Sequence, residues 1–314
     1  MQSYIVTFVA GCQDIVLRQL KQMPLNKLKV TNLDESAVTF DSDYPIEKLI
    51  ELRFFTNIYL IIGEPGGLPK ATFKGKYFRL MMLKDGEPSQ INPSERANLE
   101  SKIKQDFGLS PNTHQSKNDF YLIQRTSGQK LLTLRLSRAK FKREGLSSGE
   151  LRPELAHILL LAAGIRAKDT VLDMFAGYGS IPFEAVRGFG CKQVIAVDNQ
   201  KLPNRHENPS IKWYKADACN LDFQVDNSVD RIVTDPPWGD YEKSNATELK
   251  ELYEQFIREV HRVLKQGGVA VILSGSTLLD NIIRHNRSFK VLKVYPILVS
   301  GKKAKVFKLQ KTEQ

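Results

Sequence analysis

Thr170-Val171-Leu172-Asp173-Met174-Phe175-Ala176-Gly177-Tyr178-Gly179-Ser180 is the stretch from which the fold can be read. A short aliphatic run ends on a carboxylate, two glycines follow one residue apart, and Ser180, Pro182 and Glu184 have the residue types of an N-cap and a first helical turn. A strand turning tightly into a helix is the opening unit of a parallel sheet with crossover connections. Downstream the same alternation recurs. Val/Ile-rich strands are predicted at Thr170 to Asp173, Gln193 to Asp198, Ile211 to Tyr214, Arg231 to Thr234 and Val269 to Leu273. Between the last two, a helix from Leu249 to Leu264 turns Leu252, Phe256, Val260 and Val263 inward and ends at Gly267-Gly268. Val291 to Pro296 and Lys305 to Leu309 then flank Ser300-Gly301, a turn signal for an antiparallel hairpin whose Lys302, Lys303 and Lys305 read as protection of an edge strand. The expectation is an α/β domain with a doubly wound, Rossmann-like, mostly parallel sheet and a C-terminal antiparallel hairpin.

Working back from this stretch, Gly145-Leu146-Ser147-Ser148-Gly149 is small and flexible, and the pattern changes on either side of it. The predicted organisation is a ferredoxin-like α+β region over 1–65, a basic α+β region over 66–143, a linker over 144–150 and the α/β domain over 151–314. In the first region Tyr4 to Val9 and Ala37 to Phe40 read as strands, and Asp14 to Met23 and Ile46 to Leu52 as helices. In the second, strands are expected at Tyr77 to Leu83, Phe120 to Gln124 and Leu131 to Leu136, with a helix capped by Ser94 and running to Phe107.

Composition supports two folded domains. The chain has 314 residues, 41% hydrophobic and 26% charged, within the range of globular proteins. The longest apolar run, near Ile158 to Ile165, is far below the roughly 18 to 20 residues of a membrane span, and the first residues lack the pattern of a secretion signal. A cytoplasmic monomer without membrane contact is expected. Cys12, Cys191 and Cys219 contain no C-x-x-C, and the five histidines no H-x-x-x-H, so no metal is expected. The net charge of +11 is unevenly spread: −2 over residues 1–65, +8 over 66–150 and +5 over 151–314. Lys74, Lys76, Arg79, Arg138, Lys140 and Arg143, with Phe73, Tyr77, Phe78 and Phe141 interleaved, are either a footprint for a polyanion or a solvated basic face over core aromatics.

In a doubly wound sheet, ligands bind beyond the carboxyl ends of the strands. The turn after the first strand departs from the dinucleotide pattern G-x-G-x-x-G, because Pro182 stands at the third position and Asp173 already closes the strand. That carboxylate repels a pyrophosphate and suits a cationic amine or sulfonium, which shifts the reading to S-adenosylmethionine. Asp198 ends the second strand, where a carboxylate can accept from a ribose diol; Asp217-Ala218 follows the third, where a carboxylate and a backbone N–H suit an adenine edge. The fourth strand ends in Asp235-Pro236-Pro237-Trp238-Gly239. Two prolines stiffen the chain and end the ladder. Asp235 and the Pro236 carbonyl then offer acceptors for a planar amine, and Trp238 a stacking surface for an extruded base.

The order Asp173-x-Phe175-x-Gly177-x-Gly179, Asp198, Asp217 and Asp235-Pro236-Pro237-Trp238 resembles class I S-adenosylmethionine-dependent amino-methyltransferases. Arg152-Pro153-Glu154-Leu155-Ala156 and the basic region before it resemble the THUMP-containing RNA guanine-N2 methyltransferases, whose usual targets are tRNA or ribosomal RNA. The resemblance implies a THUMP-like RNA-binding module over 66–143 and an amine-binding site at Asp235, Pro236, Pro237 and Trp238. It also implies a cofactor site at Asp173, Phe175, Ala176, Gly177, Gly179, Asp198, Asp217 and Ala218, with S-adenosylhomocysteine as product. The expected reaction is N2-methylation of guanosine in structured RNA, tRNA foremost. Ribosomal RNA as substrate, adenine-N6 methylation of DNA or RNA, and a non-catalytic RNA-binding adaptor are the alternatives.

Overall fold

The computed structural model describes residues 1–23, 28–63, 73–125, 128–138, 146–147, 149–200, 208–239 and 246–312. In chain order the elements of the first half are β1 (Gln2–Thr7), α1 (Gln13–Gln22), β2 (Lys29–Leu33), β3 (Ala37–Ser42), α2 (Ile46–Leu49), β4 (Asn57–Ile61), β5 (Tyr77–Lys84), β6 (Glu87–Ser89), α3 (Pro93–Phe107), β7 (Ser110–Pro111), β8 (Asn118–Gln124) and β9 (Lys130–Arg138). The second half holds α4 (Pro153–Ala163), β10 (Thr170–Asp173), α5 (Ser180–Phe189), β11 (Gln193–Asp198), β12 (Ile211–Lys215), β13 (Val229–Thr234), α6 (Ala246–Val263), β14 (Leu264–Ser274), α7 (Thr277–His285), β15 (Phe289–Val299) and β16 (Lys302–Lys311). Two compact units result, Met1–Thr7 with Pro24–Lys140, and Phe8–Met23 with Phe141–Gln314.

The first unit is one sheet in the order β2-β3-β1-β4-β9-β8-β5-β6, with β7 beside β5. Its antiparallel half continues through the β4–β9 pair, where Leu60 faces Leu134, so a boundary at residue 65 runs through the middle of a single sheet. Ile5 and Ala37 share an apolar cluster with Tyr121 and Ile123 from the far half, and Arg125 Nε reaches Asp34 at 2.9 Å. The sheet therefore coils back on itself, in keeping with its natural twist. The α3 helix covers Phe78, Leu80, Phe120 and Leu122 through Ile103. Its N-cap is Asn92, which accepts from the Ser94 N–H at 3.0 Å, and not Ser94 as expected. Pro93 has no N–H and a fixed φ, so it occupies the first helical position and moves the cap two residues upstream of Ser94.

In the second unit the sheet order is β12-β11-β10-β13-β14-β16-β15. The first five strands are parallel, and β16 pairs antiparallel with both β14 and β15. Strand order reverses at β10, which opens a crevice between the carboxyl ends of β10 and β13. The α4 helix, missed in the sequence, is buried almost all round from Glu154 to Ala163. The segment Phe8–Met23 clusters with this unit and not with the N-terminal strands. Gly11, at φ +90, presses its backbone on β15 so closely that an added Cβ would lie 1.9 Å from the Pro296 carbonyl oxygen, and Asp14 pairs with Lys293 at 3.2 Å.

Two local expectations are corrected. Gly267-Gly268 does not end α6: the helix stops at Val263 and both glycines lie in β14. The terminating group comes from far along the chain. Buried Lys311 donates to the carbonyls of His261 and Leu264 at 2.6 and 2.8 Å and to Asn227 Oδ1 at 2.7 Å, taking the acceptors that the helix end leaves open. The hairpin is longer than expected, and its Ser300-Gly301 turn has φ +50 and +83, the paired positive values of a tight right-twisted hairpin.

Candidate functional site

The site begins where β10 ends. Asp173 is 1% exposed, and its Oδ1 accepts from the Thr234 hydroxyl at 2.7 Å and the Phe175 N–H at 3.2 Å. Thr234, last residue of β13, in turn accepts from the N–H groups of Met174 and Phe175 at 3.2 and 3.1 Å. One buried hydroxyl thus ties two neighbouring strand ends together. Burial pushes the Asp173 carboxyl up to about 7, against the pull of these hydrogen bonds, and the charges of Asp235 and Asp198 add to the rise.

The turn that follows is fixed by its backbone. Ala176 N–H donates to Val197 O and Gly177 N–H to Asp198 Oδ2, both at 2.8 Å, while Gly179 N–H donates to Ala176 O at 2.8 Å. Gly179, at φ +97, is the N-cap of α5, the position expected for Ser180. A Cβ there would come within 2.9 Å of the Trp213 indole. Gly177, at φ +51, differs: a Cβ would meet no protein atom within 4 Å, because the space in front of it is cavity.

At the end of β13 the Trp238 indole N–H donates to Asp235 Oδ1 at 2.8 Å. The buried Tyr253 hydroxyl, from α6, donates to the Pro237 carbonyl at 2.5 Å. The indole lies flat against Gly275, just beyond β14, where a Cβ would fall 2.5 Å from Trp238 Cε3. Pro236 is buried, Pro237 exposed and Trp238 half-buried. Desolvation pushes Asp235 up to about 7, opposed by the indole hydrogen bond.

Two cavities meet here. One, of about 200 Å³, is walled by Asp173, Phe175, Ala176, Gly177 and Tyr178; the other, of about 610 Å³, by Pro236, Pro237, Trp238 and the hairpin end. Asp235, Gly149, Glu150 and Leu151 line both. The segment expected to be a linker therefore supplies site walls, and Glu150 accepts from Ser147 N–H at 3.0 Å and the Ser180 hydroxyl at 3.3 Å. Asp198, Gly179, Asp217 and Ala218 lie outside the walls of both cavities. Asp198 also takes the Gln200 N–H at 2.9 Å, Asp217 caps a tight turn through Cys219 N–H at 2.9 Å, and Ala218 is packed in the core. Thr234, Tyr253, Gly275 and Glu150 were not singled out in the sequence; their roles come from partners 16 to 61 residues away.

Of the expected RNA contacts, Lys74 and Lys76 are exposed beside Tyr77. Arg79 is engaged by Asp119, at 2.5 and 3.1 Å, and Asp119 also holds Arg135. That ion-pair triad neutralises part of the expected basic footprint. Phe78 is core, and Phe73 packs on Phe107 and Phe120 with centroids 5.0 and 6.2 Å apart, so neither is presented for stacking. Lys140, Phe141 and Arg143 lie outside the described residues, as does the side chain of Arg138. Among the described residues there is no group of three or more potential metal ligands, and no helix long and apolar enough to cross a membrane.

The fold and part of the sequence have known relatives. Residues 190–305 match the family described as UPF0020, RMKL-like, methyltransferase domain. The chain is 30% identical over 157 residues to the tRNA (guanine(10)-N2)-dimethyltransferase of Methanothermobacter thermautotrophicus, covering 48% of this chain and 46% of that protein. It is 32% identical over 164 residues to the tRNA (guanine(6)-N2)-methyltransferase of Thermus thermophilus, covering 47% and 48%. The matches thus span about half the length of these curated relatives. The crystal structure of TrmN from Thermus thermophilus superimposes with a TM-score of 0.81 at 22% identity, covering 99% of this chain and 100% of that one. What the chain shares with these proteins is an α/β fold and, over residues 190–305, the sequence pattern of a methyltransferase domain.

Proposed function

We propose that this protein transfers a methyl group from S-adenosylmethionine to the exocyclic N2 of a guanosine in structured RNA, tRNA foremost, as a cytoplasmic monomer. The observation that carries the reading is the convergence of two cavities on Asp235, one beside a glycine turn with an adjacent buried carboxylate and one beside a proline-braced indole. The names of the two curated relatives support guanine-N2 and tRNA as target.

The residues present suit the cofactor. The open space before Gly177 gives its backbone direct access to a ligand, and Asp173 faces the same cavity. Asp173, Phe175, Ala176, Gly177 and Gly179 would hold the methionine end, Asp198 the ribose diol, and Asp217 with the Ala218 N–H the adenine edge. When bound, the cofactor supplies a methyl carbon on a positively charged sulfur. The chain's own task is alignment: nitrogen, carbon and sulfur must be collinear as the N–C bond forms and the C–S bond breaks. Asp235 and the Pro236 carbonyl hold the two amine hydrogens and favour a localised lone pair, and Trp238 stacks on the base. The amine proton becomes acidic as the new bond forms and leaves to Asp235 or to water.

The test is nucleoside analysis after incubating the purified protein and S-adenosylmethionine separately with bulk tRNA, ribosomal RNA and DNA. N2-methylguanosine in tRNA is expected. N2-methylguanosine confined to ribosomal RNA would move the substrate, N6-methyladenine would replace the reaction, and no methylation anywhere would favour a binding adaptor.

A further inference from the structure

The larger cavity extends well past the Asp235–Trp238 corner. At about 610 Å³ it falls within the range that encloses whole small-molecule ligands, and so has room for a nucleotide and not only a base. Its lining also holds two cations from distant parts of the chain, Arg152 just before α4 and Lys302 at the start of β16, together with Leu298, Val299 and Ser300. The hairpin that carries Lys302 is also fixed in place. Gly11 backs onto Pro296 with no room for a side chain, and Asp14 pairs with Lys293 on the same strand. A base seated on Trp238 shares this cavity with both cations.

We propose that Arg152 and Lys302 form a phosphate subsite that grips the backbone of the nucleotide whose base enters the Asp235–Trp238 corner. The inference rests on the reading of that corner as a nucleobase site. A guanidinium offers paired donors to a phosphate and an ammonium a mobile point charge, so together they can hold one phosphodiester without reading sequence. The lysine that a linear reading assigns to edge protection becomes a part of substrate placement.

The test compares guanosine with guanosine 5′-monophosphate as ligands of the full chain saturated with S-adenosylhomocysteine, by calorimetry. The monophosphate should bind at least about ten-fold more tightly, and Lys302→Gln and Arg152→Gln should each remove most of that preference. Lys303→Gln, exposed on the same hairpin and outside the cavity wall, should leave it intact. Lys302 lies at a solvent-exposed turn, so its variant folds even if the Arg152 variant, at a helix start, does not. With RNA as substrate, Lys302→Gln should raise KM several-fold and leave kcat nearly unchanged. Equal binding of the two ligands by the wild type, including no measurable binding of either, overturns the subsite, as does a preference that survives both substitutions. If the wild type methylates no nucleic acid, the functional reading fails on its own, while the monophosphate preference still decides the subsite.

Discussion

The corner after β10 and the corner after β13 share a cavity boundary, yet they are built by opposite means. The first is loosened by Gly177 and Gly179, both at positive φ, so that the bare backbone of Gly177 faces the cavity. The second is stiffened by Pro236 and Pro237 and clamped by Tyr253 on one carbonyl and Gly275 beneath the indole, so that side chains face the cavity. A glycine turn suits a ligand held by backbone groups along its length. A proline corner suits a small planar group that must be aimed. Each ends in an aspartate pushed up to about 7 by burial, so each waits for a partner that favours the ionised form.

The comparison breaks most visibly at Asp173. Asp173→Asn should weaken S-adenosylhomocysteine binding about 100-fold by calorimetry. It should also raise the melting temperature of the ligand-free protein at pH 8. With the folded value near 7 against an ordinary 3.8, the folded chain holds a proton there that the unfolded chain releases. That contribution is complete below about pH 4 and lost as the pH rises through 7, so the variant should gain most above neutrality. A melting temperature unchanged or lowered at pH 8 would mean that Asp173 is not strained by burial.

At the other corner, Gly275→Ala drives a Cβ into the indole at 2.5 Å. The variant should lose about 30-fold in kcat/KM for RNA with cofactor affinity preserved, since only the stacking wall moves. For the wild type, kcat/KM should fall about ten-fold per pH unit below 7 if one aspartate must be ionised; a steeper limb would show that both must be. Tyr253→Phe is the mildest change. Losing the hydroxyl on Pro237 should cost about 1 kcal/mol of stability and a few-fold in kcat, and no effect on kcat would make the bond purely structural.

The strand ends were legible because their chemistry is local: a carboxylate, two glycines or two prolines stand next to one another in the chain. The doubly wound sheet was legible for the same reason. What failed depended on distant partners. Lys311 ends α6 from the last strand, which made Gly267-Gly268 look like the terminator. Phe73 and Phe78 among lysines suggested a stacking surface, but the strand period turns Phe78 under α3, and Arg79 points to Asp119. Phe8–Met23 lie between β1 and β2 of the N-terminal sheet in sequence, and nothing local reveals that Gly11 is bare because Pro296 lies against it.

The proposed function requires cofactor and amine to meet at Asp235. Its most direct test measures, on one preparation of Asp235→Ala, methyl transfer from labelled S-adenosylmethionine to tRNA and calorimetric binding of S-adenosylhomocysteine. Turnover should fall by more than about 100-fold while cofactor affinity changes by less than about three-fold. Substantial remaining turnover, or joint loss of turnover and cofactor binding, would contradict the account.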